Sequence, residues 1–192
     1  MEIPAVRHPV MYQQWRRLTF LHWRYPAELV QAGLPAGLTV ETMDGTAWVG
    51  LIPFLMVGVR APGVPEVPWL SRFPETNVRT YVRGTLAYRS RRRWPGPVGA
   101  YCDADVEVGG PMPTGPLDEF LTARFRLYSR FAGRLVTAEA GHPPWPLHRG
   151  RVTALDQNLV QAAGLPAPTE EPLVHTTPGV SVRIGRWHVA GT

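Results

Sequence analysis

An α+β fold, with short helices packed on a largely antiparallel sheet that curls toward a barrel or cone, is what this 192-residue sequence predicts. Three observations carry that reading. Period-two alternation and stretches of β-branched or aromatic residues recur along the chain, whereas helical signals are few and short. The 21 prolines and 19 glycines follow no period, so they punctuate short elements and form no low-complexity tract. The 44% of apolar residues is enough for a real core, and 192 residues make one domain or two small ones.

Taken in order, RLTFLHWRY (17–25) is aromatic-rich and predicts a strand; PAELVQAG then predicts a short helix with Pro26 at its start and Gly33 at its end. GTAWVGLIPFLMVGV (45–59) is apolar on both faces, as a strand covered on both sides would be, with Pro53 marking a bulge or an edge. The proline-rich residues 60–74 predict a loop. FPETNVRTYV (73–82) predicts a strand that puts Glu75, Asn77, Arg79 and Tyr81 on one face and Thr76, Val78, Thr80 and Val82 on the other. TLAYRSR and GAYCDADVEV, flanking WPGP, predict a hairpin over 84–108; Cys102 falls on its apolar face, and the acidic face is expected to meet Arg89 and Arg91. PLDEFLTARFRLYSRFA (116–132) predicts the longest helix, with Pro116 in the first turn, Asp118 and Glu119 at its positive end and Gly133 after it. Leu117, Phe120, Leu121, Tyr128 and Phe131 would form its packing face. A strand near RLVTAEA, the loop HPPWPLHRG, a short helix around ALDQNLVQAAG and a final strand GVSVRIGRW complete the chain.

All 20 basic residues are arginine. A lysine Schiff base and a P-loop lysine are therefore excluded. The net charge of +5 is modest and the arginines are dispersed except in RSRRRW (89–94), where a solvated charge run is the usual reading, so nucleic acid is not an expected partner. The single cysteine, Cys102, makes no internal disulfide and, on an apolar face, reads as an inert core residue. The start MEIPAVRHPV lacks the features of a signal peptide, and no window of about 18 apolar residues exists, so a cytoplasmic protein without membrane spans is expected.

The polar face of 73–82 reads in two ways, as a solvated surface or as the lining of a cavity. Glu75 and Arg79 stand about 13 Å apart on an extended strand and do not pair with each other. A small ligand with complementary ends would satisfy both; so would neighbouring strands or water. His22 alternates with Phe20 and Arg24, and facing the same interior it would make an acid/base pair with Glu75; otherwise it is a core or rim histidine. The prolines of HPPWPLH, between His142 and His148, hold Trp145 rigidly, as a pocket wall or as a packed loop residue. The absence of HxH, HExxH and CxxC spacing argues against a metal, and no GxSxG marks a nucleophile.

Together FLHWRYPAELVQAGLP, ETMDGTAWVGLIPF, FPETNVRTYV, PLDEFLTARFRLY and HPPWPL, in order from about residue 15 to residue 187, resemble the YqjF-like family of uncharacterised conserved bacterial proteins, grouped with the acetoacetate decarboxylase-like fold. The resemblance implies a single antiparallel barrel or cone with packed helices enclosing a pocket, and no established activity. Two departures stand out. The family pattern carries more chain between the RTYVRG and YRSRR strands, so part of the wall is expected to be missing, which points to a second copy completing the sheet as a homodimer. Acetoacetate decarboxylase works through a lysine, and none exists here. The reading that results is a protein binding a small carboxylate or keto ligand through Glu75, Asn77, Arg79, Tyr81 and Trp145, with no cofactor. The alternatives are a lysine-independent lyase or hydrolase using Glu75 and His22, a weak nucleic-acid-binding protein using its arginines, and an inactive truncated relative.

Overall fold

The computed structural model describes residues 5–34, 38–83, 88–89, 99–131 and 134–189. In chain order the elements are β1 (Met11–Tyr25), α1 (Ala27–Ala32), β2 (Thr39–Val40), β3 (Thr42–Met43), β4 (Thr46–Arg60), β5 (Arg72–Thr80), β6 (Val82–Arg83), β7 (Tyr88–Arg89), β8 (Cys102–Pro111), α2 (Pro116–Thr122), β9 (Arg126–Phe131), β10 (Arg134–Gly141), β11 (His148–Gln157), α3 (Leu159–Ala162), β12 (Leu173–Ile184) and β13 (His188–Val189). The main sheet runs β13-β10-β12-β1-β4-β5-β7, with β9 added to β10, β3 to β4, and β11 and then β8 to β12; β2 and β6 form a separate pair. The strands are mostly antiparallel and curl into a half-barrel accompanied by three helices, as the sequence predicts.

β1 is the centre of this sheet, paired with β12 on one side and β4 on the other. Its ladder with β4 slips between Arg16↔Leu55 and Leu21↔Leu51, which leaves one extra residue on β1, and Arg17 there has φ of 51°. Pro53 lies in this gap while still pairing Thr76 of β5, so the missing N–H falls where the β1 ladder is interrupted. On the β12 side, Gly179 (φ 115°) faces Arg16, and a Cβ there would collide with the Trp15 carbonyl. The bulge bends the two long strands, and bending of this kind curls a sheet.

Both faces of β1 and β4 are covered. Phe20, Phe54, Trp145 and Val182 belong to one core cluster, and Leu21, Trp23, Val49 and Val160 to the other. A third, small cluster of Trp48, Tyr81, Phe120 and Leu121 forms where α2 packs on the sheet. No described helix is long and apolar enough to cross a membrane.

Three local expectations are corrected. The long helix over 116–132 is two elements: α2 ends at Thr122, and 126–131 is strand β9, paired with β10. Beyond Thr122 the sequence ARFRLYSRF alternates arginines with aromatic or apolar residues, a pattern that a strand fits as well as a helix, and pairing with β10 decides it. Among the described residues β7 and β8 do not pair with each other, as the expected hairpin over 84–108 would have them do: β7 pairs β5 and β8 pairs β11, where Glu107 meets Arg151 at 2.7 Å. The turn WPGP and the arginines after Arg89 lie outside the described residues. The residues ALDQ belong to β11, and only Leu159–Ala162 are helical. Cys102 packs half-buried against the second core cluster, where burial first and Asp103 second push its thiol up to about 11.

Candidate functional site

The polar face of β5 turns inward. Glu75 and Asn77 are half-buried, Arg79 is 8% exposed and Tyr81 is fully buried. Register explains what gathers around them. Gly50 of β4 lies opposite His22 of β1 on one side and Arg79 of β5 on the other. A Cβ at Gly50 would come within 2.9 Å of the His22 ring, so the glycine leaves the space that the imidazole occupies. Across that space His22 Nε2 meets the Tyr81 hydroxyl at 2.6 Å.

Helix α2 roofs the row. Its seven residues end in carbonyls with no partner inside the helix, and side chains from the sheet and neighbouring loops supply the donors. Tyr81 donates to Leu121 O at 2.8 Å and Arg79 Nη2 donates to the same oxygen at 3.1 Å. Trp145 Nε1 donates to Thr122 O at 3.0 Å, and Arg124 Nε to Phe120 O at 2.7 Å. Two guanidinium groups at the negative end of a helix are electrostatically favourable. At the other end Asp118 accepts the Gly115 N–H with one oxygen at 2.7 Å and His175 Nε2 with the other at 3.0 Å.

Phe20 forms the floor. The His22 ring stacks on it with centroids 6.2 Å apart, the Arg79 guanidinium lies 5.3 Å above it, and Trp145 meets it edge-on at 5.4 Å. His175 is opposite Phe20 in the β1–β12 ladder. Arg124 pairs Glu41 at 3.0 Å and lies 4.6 Å over the rings of both Tyr81 and Phe120. Several buried polar atoms here have no hydrogen-bond partner among the described residues: His22 Nδ1, His175 Nδ1, Asn77 Oδ1, Trp48 Nε1 and Arg124 Nη2.

The network fixes the protons. A carbonyl only accepts, so the single Tyr81 hydroxyl proton is given to Leu121 O, and the phenolic oxygen accepts from His22 Nε2–H. Burial, then Arg79, then His175 hold His22 well below the usual imidazole range, which leaves it neutral with a lone pair at Nδ1. His175 is also lowered by burial, which outweighs the opposing pull of Asp118. His142 is lowered by burial against its bonds to the Pro143 and Arg124 carbonyls, which favour the charged form.

The structure thus brings His22, Arg79, Tyr81 and Trp145 together and leaves Glu75 apart. Glu75 faces Phe54, four residues along β4 from Gly50, so it does not share a row with His22, whose partner is Tyr81. Tyr81 and Trp145 direct their hydrogen-bond donors at α2. Sequence reasoning missed His175 and Arg124, and it took Asp118 only as a helix-end charge. The alternation of Leu173, His175 and Thr177 was a usable signal for the histidine, because it matches the Leu18, Phe20, His22 alternation beside it. Among the described residues no group of three or more His, Cys, Asp and Glu is placed to hold a metal ion.

A cavity of about 460 Å³ opens at the Met11 end of β1, bordered by Tyr12, Gln14, Arg60, Glu66, His142 and Arg183. Its charged side chains Arg60, Glu66 and Arg183 are exposed and hydrated already. The unpaired atoms beneath α2 are removed from water, which makes them the stronger ligand signal.

The half-barrel sheet and its few helices define a class, the acetoacetate decarboxylase-like fold. Similar solved structures include the enduracididine biosynthesis enzyme MppR complexed with the condensation product of pyruvate and imidazole 4-carboxaldehyde (TM-score 0.60, 14% identity, covering 97% of this chain and 92% of that one). Others are acetoacetate decarboxylase from Legionella pneumophila (0.58, 13%, 98% and 89%) and an acetoacetate decarboxylase-like enzyme from Sphingomonas wittichii RW1 (0.52, 14%, 98% and 96%). At such identities the likeness shows the fold alone. The chain belongs to the DUF2071 family of uncharacterized conserved proteins, which it matches over residues 12–87 and 83–181. The uncharacterized protein YqjF of Bacillus subtilis (strain 168) is 25% identical over 210 residues, covering 86% of each chain. Because 86% of 192 residues is about 165, about 45 positions of that alignment have no residue here. The family match restarts at 83–87, directly after Tyr81, where the sequence resemblance placed the shortened middle.

Proposed function

We propose that this protein binds a small organic carboxylate, a keto acid in the first instance, in the polar interior beneath α2. The observation that carries the reading is the set of buried, unpaired polar atoms around Phe20 and Tyr81. Each such atom costs about 1–3 kcal/mol if it stays unpaired, so a site that keeps several is suited to a partner from outside the chain. Trp48 Nε1 and Arg124 Nη2 are donors and call for ligand oxygens; His22 Nδ1, His175 Nδ1 and Asn77 Oδ1 are acceptors and call for a ligand hydrogen. A keto acid presents carboxylate and carbonyl oxygens and, as its enol or hydrate, a hydroxyl. The guanidinium groups of Arg79 and Arg124 supply the matching positive charge, and half-buried Glu75 and Asn77 lie on the side from which β5 meets solvent. A protein of similar fold, MppR, has been solved complexed with pyruvate, which supports the ligand class.

The test is thermal denaturation with pyruvate, 2-oxobutanoate and acetoacetate. Ligand at a hundred times its Kd stabilises by about 2.7 kcal/mol, which at about 2–4 °C per kcal/mol for a chain of this size raises the Tm by roughly 5–11 °C. Arg79→Gln, in which Tyr81 still donates to the Leu121 carbonyl, is expected to fold with a lowered unliganded Tm and to abolish the shift. No shift with any keto acid, or an equal shift in the variant, sinks the reading and leaves the inactive relative standing.

A further inference from the structure

We propose that His175, held by Asp118, is a general base that takes a proton from the carbon next to the carbonyl of a 2-oxo acid bound beneath α2, a lysine-free enolisation. The inference rests on the ligand reading above and adds a reaction to it.

The Asp118 carboxylate is fixed at both oxygens, by the Gly115 N–H at 2.7 Å and by His175 Nε2 at 3.0 Å. An ionised carboxylate only accepts, so Nε2 carries the proton and the His175 lone pair is at Nδ1. That atom is buried, in a side chain 1% exposed, and has no partner among the described residues. A base oriented by a third group through its far nitrogen is the arrangement that general-base catalysis requires.

Two imidazoles keep an unpaired nitrogen, and the charges around them decide which one accepts a proton. His175 becomes an imidazolium beside a carboxylate. His22 is opposed in taking a positive charge by burial first and then by Arg79 and His175. It therefore stays neutral, tied to Tyr81. Glu75 does not compete, because it lies four residues away along the strand.

The step balances without an oxidant or a leaving group. The C–H proton moves to His175 Nδ1, the C–H bonding pair becomes the C=C bond of the enolate, and the carbonyl π pair moves onto oxygen. Arg124 Nη2 and the Trp48 N–H are the donors offered to that oxygen, and the Arg79 guanidinium above Phe20 adds positive charge to the same interior. Return of a proton from the imidazolium, after exchange with solvent, restores the keto acid.

The experiment follows exchange of the pyruvate and 2-oxobutanoate C3 hydrogens for deuterium by NMR in D2O, beside the thermal shift given by the same compounds. His175→Gln places an amide N–H where Nε2 donates to Asp118 and removes the base. Wild type should exchange well above buffer; His175→Gln should lose at least about a hundredfold of that rate, in the range typical of a lost general base, while pyruvate still raises its Tm, by less than in wild type because one acceptor for the ligand is gone. Asp118→Asn, which removes a positioning residue, should slow exchange and move its pH dependence to lower pH, because the imidazole loses its carboxylate. Exchange at the wild-type rate in His175→Gln overturns the inference, as does a wild type that is stabilised by pyruvate yet exchanges no faster than buffer. If neither compound shifts the Tm and exchange stays at the buffer rate, the ligand reading falls and takes this one with it.

Discussion

Gly50 acts through the side chain it does not have. With His22 on one neighbouring strand and Arg79 on the other, a single methyl group would press on the imidazole at 2.9 Å and push it off Tyr81. Gly50→Ala is therefore expected to cost about 1–3 kcal/mol, the usual range for overpacking a tight interior, measured by urea denaturation. At this scale the sequence was informative about one strand and silent between strands. Alternation alone put Glu75, Asn77, Arg79 and Tyr81 on one face and separated Glu75 from Arg79. It did not say that the face is turned inward, because period two is the same for a solvated surface. Nor did it find Gly50, Asp118 or His175, because their meaning depends on registers between residues far apart in the chain.

Helix α2 shows why element boundaries were harder to read. Pro116, Asp118 and Glu119 marked its start correctly, and no equally clear signal marked its end. Leu117, Phe120, Leu121 and Tyr128 satisfy a helical stripe, yet Tyr128 is buried from a strand. A helix of seven residues is not stable alone in water, so α2 exists because its ends are tied. Tyr81→Phe removes a donor from the Leu121 carbonyl and an acceptor from His22. We expect a loss of about 1–2 kcal/mol on denaturation and faster hydrogen exchange at the Ala123 amide, which bonds Glu119 O in the last turn of α2. The pairing of β8 has the same origin, since the turn residues WPGP are a local signal and the choice of β11 as the partner of β8 is not.

For the whole molecule, the three buried histidines set a pH dependence. His22, His142 and His175 all have folded values below that of the free imidazole, so the unfolded chain takes up protons first as pH falls. Stability should be full above about pH 6.5 and should decline below it, by about 1.4 kcal/mol per pH unit for each histidine that stays neutral in the fold. His22, lowered furthest, should contribute over the widest span, and His22→Gln should flatten the slope of Tm against pH between 7 and 5. A Tm indifferent to pH in that range would contradict the burial described here. The fold class was legible because composition, punctuation and alternation all pointed one way, and the family motifs FLHWRY, DGTAWVG and ETNVRTYV reinforced it.

The contacts beneath α2 also order events during synthesis. His22 and Tyr81 are 59 residues apart, Tyr81 and Leu121 are 40 apart, and Asp118 waits for His175 on the last long strand. A nascent chain that has emerged only as far as β11 already carries both arginines, the phenol and the roof, and it lacks His175. Contacts of such sequence separation form late because loop closure must be completed first. The proposed site is therefore complete only once β12 is out, and a product cut short before β12 would keep the donors of the site and lack His175.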